Sequence, residues 1–275
     1  MAKTLLQLRT LTRALLSEPV AKYWNDAEIN GWINDGAGIF CDLTDCLDDI
    51  STDSGVQYQP DYDCPSDYTK IQKIEYVRGN SVYDATPATL YEQYTGLTRN
   101  SMSQPYRANI VGNKIRFDVR LNAAANADTL NGALTASVTT ITLDDVTGFP
   151  REGRVKIDDE IIEYCNVDTD NEELEVCTRG AEGTTAATHA DGATVTLRDI
   201  WIYHFKRPAT LSSDTSTTEL PIQFENAPAH YAAYIGRMKS KDYDLADSQK
   251  ATFDDFVAKG LVWAKQKIKR SYRPR

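Results

Sequence analysis

Apolar positions change period along this chain, from helical spacing near both ends to alternation in between. Over Thr4 to Leu16, Leu5, Leu8, Leu11 or Thr12, and Leu15 fall on one face, which predicts a short amphipathic helix ending before Pro19. A second helix is expected from NDAEINGWINDGAGIFCDLTDCL. Asn25 and Glu28 have the spacing of a reciprocal cap over the first turn, and Ile29, Trp32 or Ile33, Gly36, Ile39 or Phe40, Leu43 and Leu47 follow at helical intervals. Residues 51–69 lack a period and carry Gly, Pro, Ser and Asp, so they read as a loop or extended crossing. Beyond them KIQKIEYVRGNSVYDAT and NIVGNKIRFDVRL alternate around Gly79-Asn80 and Gly112-Asn113, the pattern of two hairpins, with ATPATLYEQYT between them as a short helix.

From Asn131 to Leu197 the composition shifts to Thr, Ala, Gly and Val, and VTTITL, GRVKI, EIIEYCNV, ELEVCT and ATVTL read as strands of a small all-β module. DIWIYHFKRPATL then resumes the pattern interrupted near Leu121, so the module reads as an insertion into an exposed loop, where the added chain costs little closure entropy. The remainder is helical, with Phe253, Val257, Leu261, Ala264 and Ile268 as a stripe and Gly260 as a mild defect in it, before a basic, extended tail containing Pro274. The expected fold class is α+β: a mainly helical core with small antiparallel sheets or hairpins and an inserted all-β domain. Residues 1–130 and 198–275 form the core on this reading, and 131–197 the insertion.

Composition narrows this further. The chain has 275 residues, 41% hydrophobic and 25% charged, which excludes disorder as the dominant state. No window approaches the roughly 18 apolar residues of a membrane span, and the N-terminal segment lacks a signal-peptide layout, so a soluble protein made in a cytoplasm is expected, without membrane contact. Five cysteines without CxxC spacing predict reduced thiols. The net charge of −10 is unevenly distributed. Residues 237–275 hold 11 basic and 5 acidic side chains, a net of +6 that leaves −16 on residues 1–236. Asp42, Asp45, Asp48, Asp49, Asp53, Asp61, Asp63 and Asp67 lie in a stretch without Lys or Arg, while AKQKIKRSYRPR carries six basic residues and no acid. Such segregation concerns partners more than fold.

Little here resembles an enzyme. His189, His204 and His230 are isolated, and no nucleotide-binding, metalloprotease or nucleophile-elbow motif is present. DTDNEE at 168–173 resembles the start of a calcium loop but lacks its Gly and distal Glu, so a solvated turn is the stronger reading. Cys41 and Cys46, five apart on a predicted helix, would not share a face. No catalytic residue, cofactor or metal is expected. The aspartate series is a solvated surface or one that repels polyanions. The basic C-terminus is suited to phosphate contacts or to docking on a protein partner.

The order of elements resembles the head-to-tail adaptor, or connector, proteins of tailed bacteriophages. The resemblance covers nearly all of residues 1–130 and 198–275. It is carried chiefly by Trp24, Asp26, Ala27, Glu28, Ile29, Asn30, Trp32, Ile33 and Asn34, and by PATLSSDTSTTELPIQF. The insertion resembles a β module that recurs in phage virion proteins, through Gly148-Phe149-Pro150, Thr178-Arg179-Gly180 and Gly183-Thr184-Thr185; adaptors of this family commonly lack it. The resemblance implies a structural virion protein of the neck: a homo-oligomeric ring, typically a dodecamer, between the portal and a downstream tail or nozzle protein, with genomic DNA passing through its channel. It also implies a C-terminal segment that engages the portal, here Lys265, Lys267, Lys269, Arg270, Tyr272, Arg273 and Arg275. The acidic residues expected to face the channel are Asp42, Asp45, Asp48 and Asp49. Two other readings remain at this point: a DNA-binding module using the basic tail, and a receptor- or glycan-binding tail protein acting through the insertion. Against the second, the insertion offers Tyr164 but no Trp.

Overall fold

The computed structural model describes residues 2–87 and 102–271, with the side chains of 86–87 and 267–271 left aside. The expected helix at ATPATLYEQYT falls mostly outside the described residues. The chain divides into two compact units: Met1–Asp49, Asp67–Lys70 and Phe205–Arg275 in one, and Ile50–Ser66 and Ile71–His204 in the other. The 131–197 segment lies within the second unit.

The first unit holds helices α1 (Leu5–Leu15), α2 (Asp26–Thr44), α3 (Ala227–Lys239) and α4 (Tyr243–Ser271). Both N-terminal helices start with a reciprocal cap, Thr4 with Gln7 and Asn25 with Glu28, satisfying amides that the first turn leaves orphaned. Leu5 and Leu8 of α1 pack with Ile29, Trp32 and Ile33 of α2 and with Ala229, Ala232 and Ala233 of α3, and Leu211 closes this cluster. A second cluster joins Phe40 and Cys41 of α2 to Phe224, Ala227 and Phe253. Along α4 the buried positions are Ala246, Phe253, Gly260 and Ala264, whereas Leu261 of the expected stripe is exposed. Gly260 is no defect. A Cβ there would sit 2.8 Å from Thr44 Cγ2 and 2.9 Å from Phe40 Cζ, so its bare backbone is what lets α4 approach α2.

In the second unit, Glu75–Arg78 of the strand Tyr68–Arg78 pairs with Ser81–Asp84 in the expected hairpin, and Arg107–Val111 and Lys114–Phe117 form the other; Gly79 and Gly112 supply the positive φ of their turns. The first hairpin belongs to a sheet ordered Asp48–Asp53, Ile200–Lys206, Tyr68–Arg78, Ser81–Asp84. Residues 51–69, expected as a loop or extended crossing, contribute strands, including Asp61–Asp63 beside Lys114–Phe117. The segment around the insertion builds a four-stranded sheet, Ala127–Thr129, Thr194–Leu197, Gly153–Ile157 and Glu160–Tyr164. A three-stranded one accompanies it, Ile141–Thr142, Glu173–Glu175 and Asn166–Asp168. Between them Leu143, Val155, Ile157, Ile162, Tyr164, Leu174 and Val195 form a continuous apolar core.

The expectation of a mainly helical core is wrong. The described residues hold four helices, 28% helical, against 31% strand in five small sheets, and are β-rich. Helical periodicity is confined to the two ends of the sequence, whereas residues 48–206 contain only strands, turns and one short 3-10 segment among the described residues. Each hairpin is short and contributes a weak signal, but together they outweigh the long helices.

Candidate functional site

Strand alternation builds a concavity in the second unit. Ile74, Tyr76, Ile200 and Ile202 point to one side of their sheet and are buried. Glu75, Val77, Trp201 and Tyr203 therefore emerge on the other, and Val82, directly opposite Val77, joins them. Pro150–Gly153 and Glu163–Cys165 wall this face into a cleft of about 460 Å³. The wall is fixed: the Arg151 amide donates to Asn80 Oδ1 (3.1 Å), and Tyr164 Oη donates to the Pro150 carbonyl (3.1 Å). Tyr203 Oη donates to Glu75 Oε2 (2.6 Å), and Glu75 also meets Lys73. Arg154 pairs with Glu163 (3.0 Å), and its guanidinium lies 5.1 Å from the Trp201 ring centroid. Burial pushes the Tyr203 phenol up, and its bond to Glu75 adds to this, so it remains a hydroxyl donor.

A second polar centre is structural. Glu160, fully buried, accepts from Arg179 Nε and Nη2 (2.8 and 2.7 Å), from the amides of Gly180 and Ala187, and lies 2.9 Å from His189 Nε2. Burial alone would raise this carboxyl, but Arg179, the Ala187 amide, His189 and the Gly180 amide outweigh it and hold it at about 2. His189, isolated in the sequence, is buried here with Asp158 on Nδ1. His204 is buried beside the Ile202 carbonyl, and His230 bonds Gln249 against Phe256. The Glu160–Arg179–His189 cluster was not legible as a unit, because its members are separated by up to 29 residues. The only sequence signal was the TRG pattern of the insertion.

Cys41 and Cys46 do meet, Sγ to Sγ 3.7 Å, contrary to their expected separation: α2 ends at Thr44, and Asp45, at φ 51°, turns the chain back. Both thiols are buried, and the Cys46 contact, followed by burial, pushes Cys41 up, which makes it unreactive. In the 168–173 turn, Asp168 accepts from the Asp170 and Asn171 amides and from Asn171 Nδ2. The strands bring Asp168, Glu173 and Glu175 within 4.8 Å of one another, but Asn166 bonds Glu175 and Thr142 bonds Glu173, so the acids are held by the protein.

No protein-family model and no curated protein matches the chain. The structure places the residues expected at interfaces as follows. Lys265 is exposed on α4; Lys267, Lys269 and Arg270 occupy the last turns of that helix; Tyr272, Arg273 and Arg275 lie outside the described residues. In the first unit Asp42 is held in a forked pair by Arg207 (3.0 and 2.5 Å), Asp45 meets Lys70 (3.2 Å) and Asp49 meets Lys206 (2.9 Å), while Asp48 is exposed. In the second unit Asp53, Asp61 and Asp63 pair with Arg198, Arg116 and Lys114. The aspartate run is thus a set of mixed-charge surfaces. Among the described residues no helix is long and apolar enough to cross a membrane.

Proposed function

We propose that this chain is a structural subunit of a tailed-phage virion, an adaptor whose copies form a ring, of dodecameric type, between the capsid portal and the tail or nozzle, with DNA passing through the channel. The observation that carries the reading is a junction in the first unit between the two stretches on which the resemblance rests. Asn34 of the N-terminal motif donates through Nδ2 to the Leu211 carbonyl (3.2 Å) and accepts from the Leu211 amide at Oδ1 (2.9 Å), 177 residues away. Arg9 of α1 reaches Asn30 (3.4 Å) and Asp214 (2.9 Å), and the Leu5 amide donates to the Ser216 carbonyl. Residue identities that looked distinctive in sequence therefore have one shared purpose, holding α1, α2 and the 207–217 segment together. The basic residues at the end of α4 fit an electrostatic contact repeated around a ring, where many weak contacts give one strong joint.

The test is the mass of the chain, by light scattering, alone and after mixing with the portal protein of the same virion. A ring-sized complex with portal is expected, weakened when Lys265, Lys267, Lys269 and Arg270 are replaced by Glu. Failure to associate with portal, or a stable trimer in isolation, refutes the proposal. Salt-dependent DNA retardation by the isolated chain with no portal association would instead favour a DNA-binding module.

A further inference from the structure

We propose that the cleft over Trp201 and Tyr203 is a binding site for a neutral saccharide. This goes beyond the adaptor reading and does not depend on it. A sheet with one face in the core ordinarily turns polar residues outward on the other. Here that outer face carries Val77, Val82, Trp201 and Tyr203, and they line the cleft instead of being covered by the core. Val82 is 58% exposed. Trp201 donates its Nε1 proton to the Arg198 carbonyl (3.1 Å) and carries the Arg154 guanidinium 5.1 Å from its ring centroid, so its polar edge is already used and what it offers a ligand is the ring surface that Arg154 leaves uncovered.

Charge then selects the ligand class. Glu75 and Glu163 each have a cation, Lys73 and Arg154, and Arg151 and Glu152 at the rim are of opposite sign. An anion entering the cleft would face three carboxylates, and a cationic peptide would find the two on the floor and wall already matched. Each carboxylate still has acceptor capacity to spare, because a carboxylate offers about four lone-pair sites. Aromatic faces beside neutralised hydrogen-bond acceptors suit a ring that is apolar on its C–H face and hydroxylated at its edge. The cleft volume lies within the range of small-ligand sites. The insertion was expected to be a poor glycan binder because it offers Tyr164 but no Trp, and Tyr164 itself is fully buried. The aromatics come from the neighbouring strand, and the insertion supplies the wall.

The experiment uses the full chain and follows the Trp201 indole N–H signal by NMR during titration with maltotriose, cellotriose and chitotriose. At least one sugar is expected to shift that signal saturably while leaving the indoles of Trp24, Trp32 and Trp263 in place. Trp201→Ala should weaken binding by about tenfold or more. Val82→Lys, at an exposed strand position, should block the cleft without disturbing the core, and Trp201→Phe should retain part of the affinity. No response to any of the sugars overturns the proposal. So does a response that survives Val82→Lys, or saturable binding of trilysine or inorganic phosphate in place of the sugars.

Discussion

Asp199 gives the sharpest test of the energetics. Its side chain is buried at 1% exposure, and Oδ1 accepts from the Gly55 amide at 2.6 Å. Burial pushes the carboxyl up to about 7; the Gly55 amide, its own amide and the charge of Arg78 pull it back in part, and Asp53 adds to the rise. Tyr62 and Tyr76 are both pushed up mainly by burial, and the charge of Asp199 adds to the rise. Between about pH 4 and 7 the unfolded chain releases this proton while the folded one keeps it, so the unfolded state binds fewer protons and stability falls as pH rises. Three pH units correspond to about 4 kcal/mol. Asp199→Asn preserves the Oδ1 acceptor and removes the titration, but adds an amide N–H2 in a buried place, at about 1–2 kcal/mol.

The variant should therefore be about 2 kcal/mol more stable than the parent at pH 8 and about 1–2 kcal/mol less stable at pH 4, where the parent's carboxyl is already neutral. Urea unfolding at both pH values measures the crossover, and a carboxyl 13C titration of Asp199 in the folded chain measures its cause. Equal destabilisation at both pH values would refute the reasoning and show that the folded protein holds Asp199 as a carboxylate.

Glu160→Gln should cost about 3–5 kcal/mol in urea unfolding of the second unit, since it leaves the Arg179 charge without its counter-ion. In the parent, with this carboxyl lowered to about 2, its contribution is complete above the unfolded value of 4.5 and disappears as pH falls towards 2, visible as an acid unfolding limb. Gly260→Ala should lower the melting temperature, because the steric cost of about 1–3 kcal/mol against Phe40 and Thr44 exceeds the roughly 1 kcal/mol gained in helix propensity. Asn34→Ala removes both bonds to the Leu211 main chain and should cost about 1–3 kcal/mol, with accelerated hydrogen exchange at the Leu211 amide as its local signature.

Local signals in the sequence were informative where the physics is local. The Asn25–Glu28 cap, the Gly79 and Gly112 turns and the start of α2 depend on residues within a few positions of one another, and each is where the sequence placed it. What depended on distant partners was hidden. The run from Asp42 to Asp67 holds no Lys or Arg, yet six of its eight aspartates pair with Lys70, Lys114, Arg116, Arg198, Lys206 and Arg207. A one-dimensional charge count could not find them, because strand pairing and chain return bring in the cations. The buried face of α4 was hidden for another reason: Ala246, Gly260 and Ala264 carry almost no hydrophobic signal, and their burial reflects close helix approach rather than apolar area. Trp201 and Tyr203 were seen as strand residues, but the wall that makes a cleft of them comes from Pro150–Gly153, about fifty residues earlier.

The loop that most resembled a recurring module also shows why a distinctive pattern need not mark a binding site. Arg179 and Gly180 of that loop bond Glu160, and Thr184 Oγ1 accepts from the Ile161 amide, so these positions close the module's own interior. Gly180, at φ 65°, stands where a Cβ would meet the Thr184 carbonyl at 2.8 Å, which a side chain could not tolerate. Between them Glu182 faces the other way: both of its carboxylate oxygens engage Thr52, and Arg154 joins it at 3.0 Å while also bonding the Ile50 carbonyl. One short loop thus seals the inserted module and fastens it to the strand that precedes it by some 130 residues. Arg179, Glu182 and Thr184 of the loop are thus engaged in holding the structure together. The same Arg154 that anchors Glu182 also balances Glu163 and lies against Trp201, so the fastening of the insertion is what fixes the wall of the cleft and gives the insertion a reason to stand where it does.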